Sequence, residues 1–224
     1  MATIIIDGTE IKAKDGESLL WTALDNGFYI PNLCALRGFT PSTASCRLCF
    51  VEIEGKPAPV TSCTEQIKDG MVVHLNTVEV KRIRNTAFRL LLSNHAIDCS
   101  HCDKNRNCEL QNIASNLGLK LKHDKLRKIP RDYPVDSSHA LFYYDPNKCV
   151  LCGRCIRVCH ENGTGILEFA FRGISTIVST FNGIPLAEAN CDSCLECVKV
   201  CPVGSLVAKS NTGGEQSARK VLSK

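Results

Sequence analysis

The sequence predicts an α+β chain built as several small units rather than around one large apolar core. Three observations point to this. The 15 cysteines of the 224-residue chain fall into four groups separated by ordinary sequence. Only 6% of residues are aromatic, and units of this size are marginal unless something staples them. Finally, short strand-like and helix-like stretches alternate along the chain, and one cysteine pattern occurs twice.

The elements follow in order. TIIIDG and TEIKA read as strands about an Asp-Gly turn. SLLWTALDN reads as a short helix with Leu20, Ala23 and Leu24 on one face and Gly27 as its stop. CFVEIEG, APVTSC and MVVHLN supply three more short strands. Hairpin, helix, then further strands is the order of a β-grasp unit. KRIRNTAFRLLLSNH, residues 81 to 95, places Ile83, Ala87, Leu90 and Leu91 at helical spacing, so His95 arrives at the end of an amphipathic helix. Later, ILEFAFRG and STIVSTFNG read as two strands around a Gly turn.

All 15 cysteines belong to one of four patterns. Cys34, Cys46, Cys49 and Cys63 form C-x11-C-x2-C-x13-C, and Cys99, Cys102 and Cys108 form C-x2-C-x5-C behind His95. Cys149, Cys152, Cys155 and Cys159 form C-x2-C-x2-C-x3-C, and Cys191, Cys194, Cys197 and Cys201 repeat it 42 positions later, ligand for ligand. An odd count cannot pair off completely, so metal binding is a better reading than disulfides. The repeated pattern is the run of bacterial ferredoxins. There, three close thiolates face one 4Fe-4S cube and the fourth reaches the other cube. One cube would take Cys149, Cys152, Cys155 and Cys201; the second would take Cys191, Cys194, Cys197 and Cys159. His160 stands where such runs usually carry Pro, which removes no ligand. Zinc sites close with four ligands, usually as two separated pairs, and two tight runs of four fit that poorly.

The stretch HAIDCSHCDKNRNC, residues 95 to 108, offers three thiols and two imidazoles. His101 lies inside the C-x2-C turn, where middle residues present backbone N–H groups and turn their side chains away. A fourth ligand from outside the turn favours His95. The alternative is a three-cysteine site completed by water, with both histidines at the surface.

In order, these modules resemble the N-terminal iron-sulfur region of iron-only hydrogenases and the small electron-transfer (diaphorase) subunit of NAD-reducing hydrogenases. The first two also resemble the N-terminus of the large iron-sulfur subunit of respiratory complex I. The resemblance runs from about residue 3 to 210, and His95-x3-Cys99-x2-Cys102-x5-Cys108 is its most specific element. It implies His95 as the fourth ligand of a 4Fe-4S cluster. It also implies a 2Fe-2S cluster on Cys34, Cys46, Cys49 and Cys63, although eleven residues separate Cys34 from Cys46 where plant-type ferredoxins have four. The expected organisation is a β-grasp 2Fe-2S domain at 1–78, a short helical 4Fe-4S segment with one His and three Cys ligands at 79–118, and a basic linker at 119–138. A bacterial-type double 4Fe-4S ferredoxin domain would follow at 139–210, then a tail at 211–224. The cofactors implied are one 2Fe-2S cluster and three 4Fe-4S clusters.

Composition excludes several function classes. No apolar run approaches the length of a membrane span, and the N-terminus is not of the signal-peptide kind, so a soluble, cytoplasmic protein is expected. The formal charge is +4. Fifteen thiolates against four cluster cores of about +2 each would bring it to roughly −3. LKLKHDKLRKIPRDYP, residues 119 to 134, remains locally basic, as a solvated linker or as a docking strip. No motif supports nucleic-acid binding. No G-x-G-x-x-G follows a strand, and after Cys201 only 23 residues remain, too few for a hydrogen-activating domain. The expectation is an electron carrier without a catalytic centre of its own, whose partners are a flavin/NAD(P)-binding diaphorase subunit and a hydrogenase or related catalytic subunit such as formate dehydrogenase. A freely diffusing polyferredoxin is the competing reading.

Overall fold

In a computed structural model, residues 1–122, 127–129 and 131–209 are described. The expected tail at 211–224 lies outside the described residues, as do 123–126 and 130 of the expected linker. Helices and strands are mixed throughout. The chain divides into two compact units, one formed by Met1–Ser93 with described residues of Ile113–Arg127, the other by Asn94–Asn112 with the described residues from Lys128 on.

In the first unit, β1 (Ala2–Ile6) and β2 (Thr9–Ala13) pair antiparallel with Ile4 opposite Ile11. The turn between them takes positive φ at Asp7 and Gly8, as an Asp-Gly hairpin turn requires. Helix α1 (Leu19–Asp25) buries Leu19, Leu20 and Ala23, and Gly27 follows it at φ 82°. Then come β3 (Phe50–Ile53), β4 (Val60–Thr61) and β5 (Val72–His74). The sheet order is β2-β1-β5-β3-β4, with β1 and β5 parallel and the other pairs antiparallel. Ile4, Ile6, Leu20, Ile30, Val51 and Val73 fill the core, which also takes in Cys49 and Cys63. The hairpin–helix–strands order anticipated from the sequence is the order observed.

Helix α2 (Val78–Ser93) packs on β3 with a different face from the one expected. The buried row is Val80, Arg84, Phe88 and Leu92; of the apolar residues read at helical spacing, Ile83, Ala87 and Leu91 are half-buried and Leu90 is 59% exposed. The pattern misled because Arg84 counts as polar in any periodicity. Here its guanidinium donates to the Phe50 carbonyl from Nε at 3.0 Å and from Nη2 at 2.6 Å, so an arginine occupies a position that an apolar residue would otherwise fill.

In the second unit, Cys99–His101 forms a single 3-10 turn. Helix α3 spans Glu109–Leu117, of which only Glu109–Asn112 belong to this unit. Strand β6 (Phe142–Tyr144) pairs antiparallel with β9 (Leu206–Ala208). Between them lie α4 (Arg154–Glu161), the antiparallel pair β7 (Glu168–Ala170) and β8 (Ile177–Ser179), and α5 (Glu196–Val200). β7 and β8 are the two strands read from ILEFAFRG and STIVSTFNG. The repeat is visible in the backbone: Leu151 and Gly153 have φ 53° and 74°, and 42 residues on Ser193 and Leu195 have φ 63° and 61°. Among the described residues, no helix is long and apolar enough to cross a membrane.

Candidate metal centres

Cys34, Cys46, Cys49 and Cys63 come together from separate loops. Cys34 and Cys46 sit on the long irregular segment before β3, Cys49 immediately precedes β3, and Cys63 lies on the 3-10 turn Ser62–Thr64 after β4. The Cys34 and Cys46 Sγ atoms are 3.4 Å apart, the Leu33 N–H donates to Cys46 Sγ at 3.4 Å, and the Ser62 N–H ties to the Cys49 carbonyl at 2.9 Å. All four thiols are buried. Their titration divides within each contacting pair. Hydrogen bonding with Cys46 lowers Cys34 to about 5, while Cys46 is pushed up by that bond, by burial and by neighbouring thiols. Cys63 is lowered by its bond with Cys49, and Cys49 is raised by that bond and by burial. Four buried thiols cannot all ionise against one another unless positive charge is supplied between them.

The second unit holds the remaining eleven. Burial is the first cause raising Cys149, Cys152 (to about 12) and Cys155, and Cys201 adds like charge to each. Burial likewise raises Cys191 and Cys197 (to about 12), with like charge from Asp192 and then Cys159 at the former and from Cys159 first at the latter. The fourth neighbour of each run therefore comes from the other run. Each set lines a small pocket, one bordered by Cys149, Cys152, Cys155 and Cys201 and the other by Cys159, Cys191, Cys194 and Cys197. In both runs the residue two beyond the first cysteine takes its left-handed conformation and aims its N–H at that sulfur, Leu151 to Cys149 and Ser193 to Cys191, each at 3.4 Å. Among the described residues, no three His, Cys, Asp or Glu side chains converge at single-ion distances.

The two histidines of the 95–108 stretch differ sharply. The His101 side chain is 82% exposed and its Nδ1 meets Asp98 Oδ2 at 2.9 Å. His95 is desolvated, which lowers it to about 4 against the pull of a backbone hydrogen bond at Lys148, and its Nδ1 is buried with no hydrogen-bond partner among the described residues. A neutral imidazole with one nitrogen engaged by the backbone and the other orphaned is the state a metal ligand needs. The cysteine loop after it is closed by local bonds: Asn105 N–H to Cys102 O at 2.8 Å, Asn107 N–H to Lys104 O at 2.9 Å, and Arg106 N–H to Gln111 Oε1 at 2.8 Å. Cys108 then caps α3, its carbonyl accepting from the Asn112 N–H at 3.1 Å. Burial raises Cys108, with Cys102 and Cys99 adding like charge.

Four residues here were missed by sequence reading. Gly204 leaves room for Cys102: a Cβ at that position would lie 2.4 Å from Cys102 Sγ. Arg131, at the end of the basic stretch, donates from Nη1 to the Cys149 carbonyl at 3.0 Å, and Tyr133 N–H donates to Asn147 Oδ1 at 3.0 Å. These two residues are therefore folded onto the cysteine run, rather than being part of a solvated linker. Arg84 is the fourth. No spacing rule marks any of them, since each acts through a contact distant in sequence.

Comparison with known proteins follows this division. Residues 1–78 match the 2Fe-2S iron-sulfur cluster binding domain, 84–123 the NADH-ubiquinone oxidoreductase-G iron-sulfur binding region, and 148–205 the 4Fe-4S dicluster domain. Three iron-sulfur regions are thus matched in succession along the chain. It is 39% identical over 214 residues to the NADPH-Fe(3+) oxidoreductase subunit alpha of Geobacter sulfurreducens, covering 93% of this chain and 24% of that one. It is 36% identical over 218 residues to the NADP-reducing hydrogenase subunit HndD of Solidesulfovibrio fructosivorans, covering 92% and 36%. The match to a subunit of the NADH-quinone oxidoreductase of Rhizobium meliloti is 34% over 210 residues, covering 93% and 24%. This iron-sulfur chain thus spans about a quarter to a third of the length of these relatives. A chain in the crystal structure of an NAD+-reducing NiFe-hydrogenase in the H2-reduced state superimposes with a TM-score of 0.85 at 28% identity, covering 96% of this chain and 90% of that one.

Proposed function

We propose that this protein is the electron relay of a multi-subunit NAD(P)-linked oxidoreductase, a hydrogenase first of all, and carries single electrons between a flavin/NAD(P)-binding subunit and a catalytic subunit. Its cofactors are one 2Fe-2S cluster on Cys34, Cys46, Cys49 and Cys63, and 4Fe-4S clusters on three sets. These are His95 with Cys99, Cys102 and Cys108; Cys149, Cys152 and Cys155 with Cys201; and Cys191, Cys194 and Cys197 with Cys159. The observation that carries the reading is that Cys201 lines one pocket with Cys149, Cys152 and Cys155 while Cys159 lines another with Cys191, Cys194 and Cys197, supported by the orphaned buried Nδ1 of His95. The relatives in NADP-reducing and NAD+-reducing hydrogenases support the choice of complex.

When bound, the clusters supply one-electron acceptance and release with little rearrangement. The chain's residues set the conditions. Burial keeps water from most of the thiols, the Leu33, Leu151 and Ser193 N–H groups donate to sulfur and stabilise negative charge there, and His95 contributes no charge. Cys194 is the exposed thiol of the set and brings that site nearest to solvent. The chain is proposed to perform no bond chemistry itself.

Two measurements test this. An anaerobic preparation should contain about 14 Fe with equal acid-labile sulfide and negligible zinc. The purified chain should also lack NADH, hydrogen and formate activity with artificial dyes, gaining it only alongside a flavin-bearing subunit. Nickel in the affinity-purified native complex supports the hydrogenase. Molybdenum or tungsten would favour formate dehydrogenase, and a lone chain fully active as a soluble carrier would sink the subunit reading.

A further inference from the structure

Arg84 is 2% exposed and lies in the same helical row as Val80, Phe88 and Leu92, a row otherwise wholly apolar. A buried cation is expensive unless something negative faces it. Among the described residues no carboxylate forms an ion pair with it. Two of its donor nitrogens, Nε and Nη2, both go to one acceptor, the carbonyl of Phe50, at 3.0 and 2.6 Å. A neutral donor could satisfy that carbonyl, so the hydrogen bonds alone give no reason for a full charge. Phe50 directly follows Cys49, itself 1% exposed. Burial lowers the guanidinium to about 10, and of the groups that pull it back Cys49 is the largest, ahead of Tyr29 and Asp7. The side chain of Asp7 is already engaged, accepting from the Leu75 N–H at 2.8 Å.

We infer that Arg84 is a positioning residue that raises the reduction potential of the Cys34, Cys46, Cys49 and Cys63 site by placing a fixed positive charge behind the Cys49 segment. The inference rests on the proposed 2Fe-2S cluster at those thiols. Adding one electron from an external reductant makes the four-thiolate centre more negative by one charge. A neighbouring cation in a low-dielectric setting therefore favours the reduced form more than the oxidised one. Because Arg84 is buried, salt screens it little. Because it is an arginine, it holds its charge across the working pH range.

The test uses the full chain, reconstituted anaerobically, with the 2Fe-2S electron paramagnetic resonance signal followed in a redox titration. Iron, sulfide and the visible spectrum are measured first: a wild-type chain without a 2Fe-2S centre removes the premise and leaves nothing for Arg84 to tune, which separates that failure from this one. Arg84→Gln keeps a donor without the charge, and Arg84→Lys keeps the charge. At a fixed potential near the midpoint, Arg84→Gln should show at least a tenfold lower ratio of reduced to oxidised centre, about 59 mV for a one-electron couple. Arg84→Lys should stay within about threefold of wild type near pH 7. An Arg84→Gln ratio equal to wild type, with the cluster fully loaded, overturns the proposal, since a purely structural role predicts a change in cluster retention and none in potential. Should Arg84→Gln fail to hold the cluster, Arg84→Lys read from about pH 7 to about 9, where the wild-type guanidinium keeps its charge, decides, because burial lowers a lysine pKa from about 10.4 toward that range. A tenfold fall against a flat wild-type profile sustains the inference, and parallel profiles reject it.

Discussion

Substituting Gly204 by Ala would test the packing of the mixed His/Cys site without touching a ligand. The new Cβ would lie 2.4 Å from Cys102 Sγ and 3.6 Å from both Lys104 Cβ and Lys148 Cδ. Ordinary contact between heavy atoms is about 3.5–4.0 Å, so sulfur and methyl must part by more than about 1 Å. Gly204 is not among the glycines with positive φ, so the methyl is penalised by this contact and not by backbone strain. Overpacking of this kind costs about 1–3 kcal/mol, which a folded domain survives. Metal–ligand distances tolerate only about 0.2 Å, which the cluster does not survive. The local frame cannot simply follow, because the Pro202 carbonyl accepts from the Glu109 N–H at 2.9 Å and Asn147 O accepts from the Ala96 N–H at 2.9 Å. Expected, then, is a chain with unchanged far-UV circular dichroism that has lost about 4 of about 14 Fe, with one 4Fe-4S signal missing from the reduced spectrum. A Gly204→Ala protein with full iron and all signals intact would refute the reasoning and move Cys102 out of the ligand set.

His95 and His101 separate by mutation. His95→Ala should lose or convert one 4Fe-4S cluster, whereas His101→Ala, which removes only an exposed pairing with Asp98, should leave all signals in place; loss with His101→Ala alone would reverse the assignment. His95→Cys should keep the cluster and lower its potential, because thiolate adds the negative charge imidazole withholds, and an unchanged or higher midpoint in a redox titration would count against it. Chelation of iron under reducing conditions should collapse the far-UV signal along with the visible absorbance, since small domains with ligand-rich loops draw folding free energy from their metal; a bleached chain retaining its helical signal would show that the cores suffice alone.

What the sequence made legible was whatever repeats or alternates locally. The Asp7-Gly8 turn, α1 with its stop at Gly27, and the strands β1 to β5 could be read because their determinants lie within a few residues of one another. The 42-residue repeat was equally plain, and it carried information the cysteines alone do not. Leu195 adopts φ 61° where its counterpart Gly153 has φ 74°. A leucine accepts that conformation only at a cost of roughly 1–2 kcal/mol, so the run dictates the backbone more strongly than the residue type does. Space does not demand glycine at 153, since a Cβ there would meet the Phe169 ring at 3.5 Å, an ordinary contact; only the positive φ favours it.

What stayed illegible depends on contacts made across the fold. The face of α2 was misassigned because amphipathic periodicity scores Arg84 as solvent-seeking, and only the Phe50 carbonyl 34 residues away reverses that assignment. Arg131 was read as part of a basic linker for the same reason, until the Cys149 carbonyl appeared as its acceptor 18 residues on. Both are cations with hydrogen-bonded carbonyls beside buried cysteine segments, and both escape a charge count taken along the chain. The proposed clusters add negative charge that the formal sum of +4 omits, and it is against this charge that buried guanidinium groups become intelligible. A basic residue inside a cysteine-rich sequence is therefore better judged by its distance from thiolates than by its neighbours in the chain. Arg84 at the Cys49 segment is where that rule can be measured.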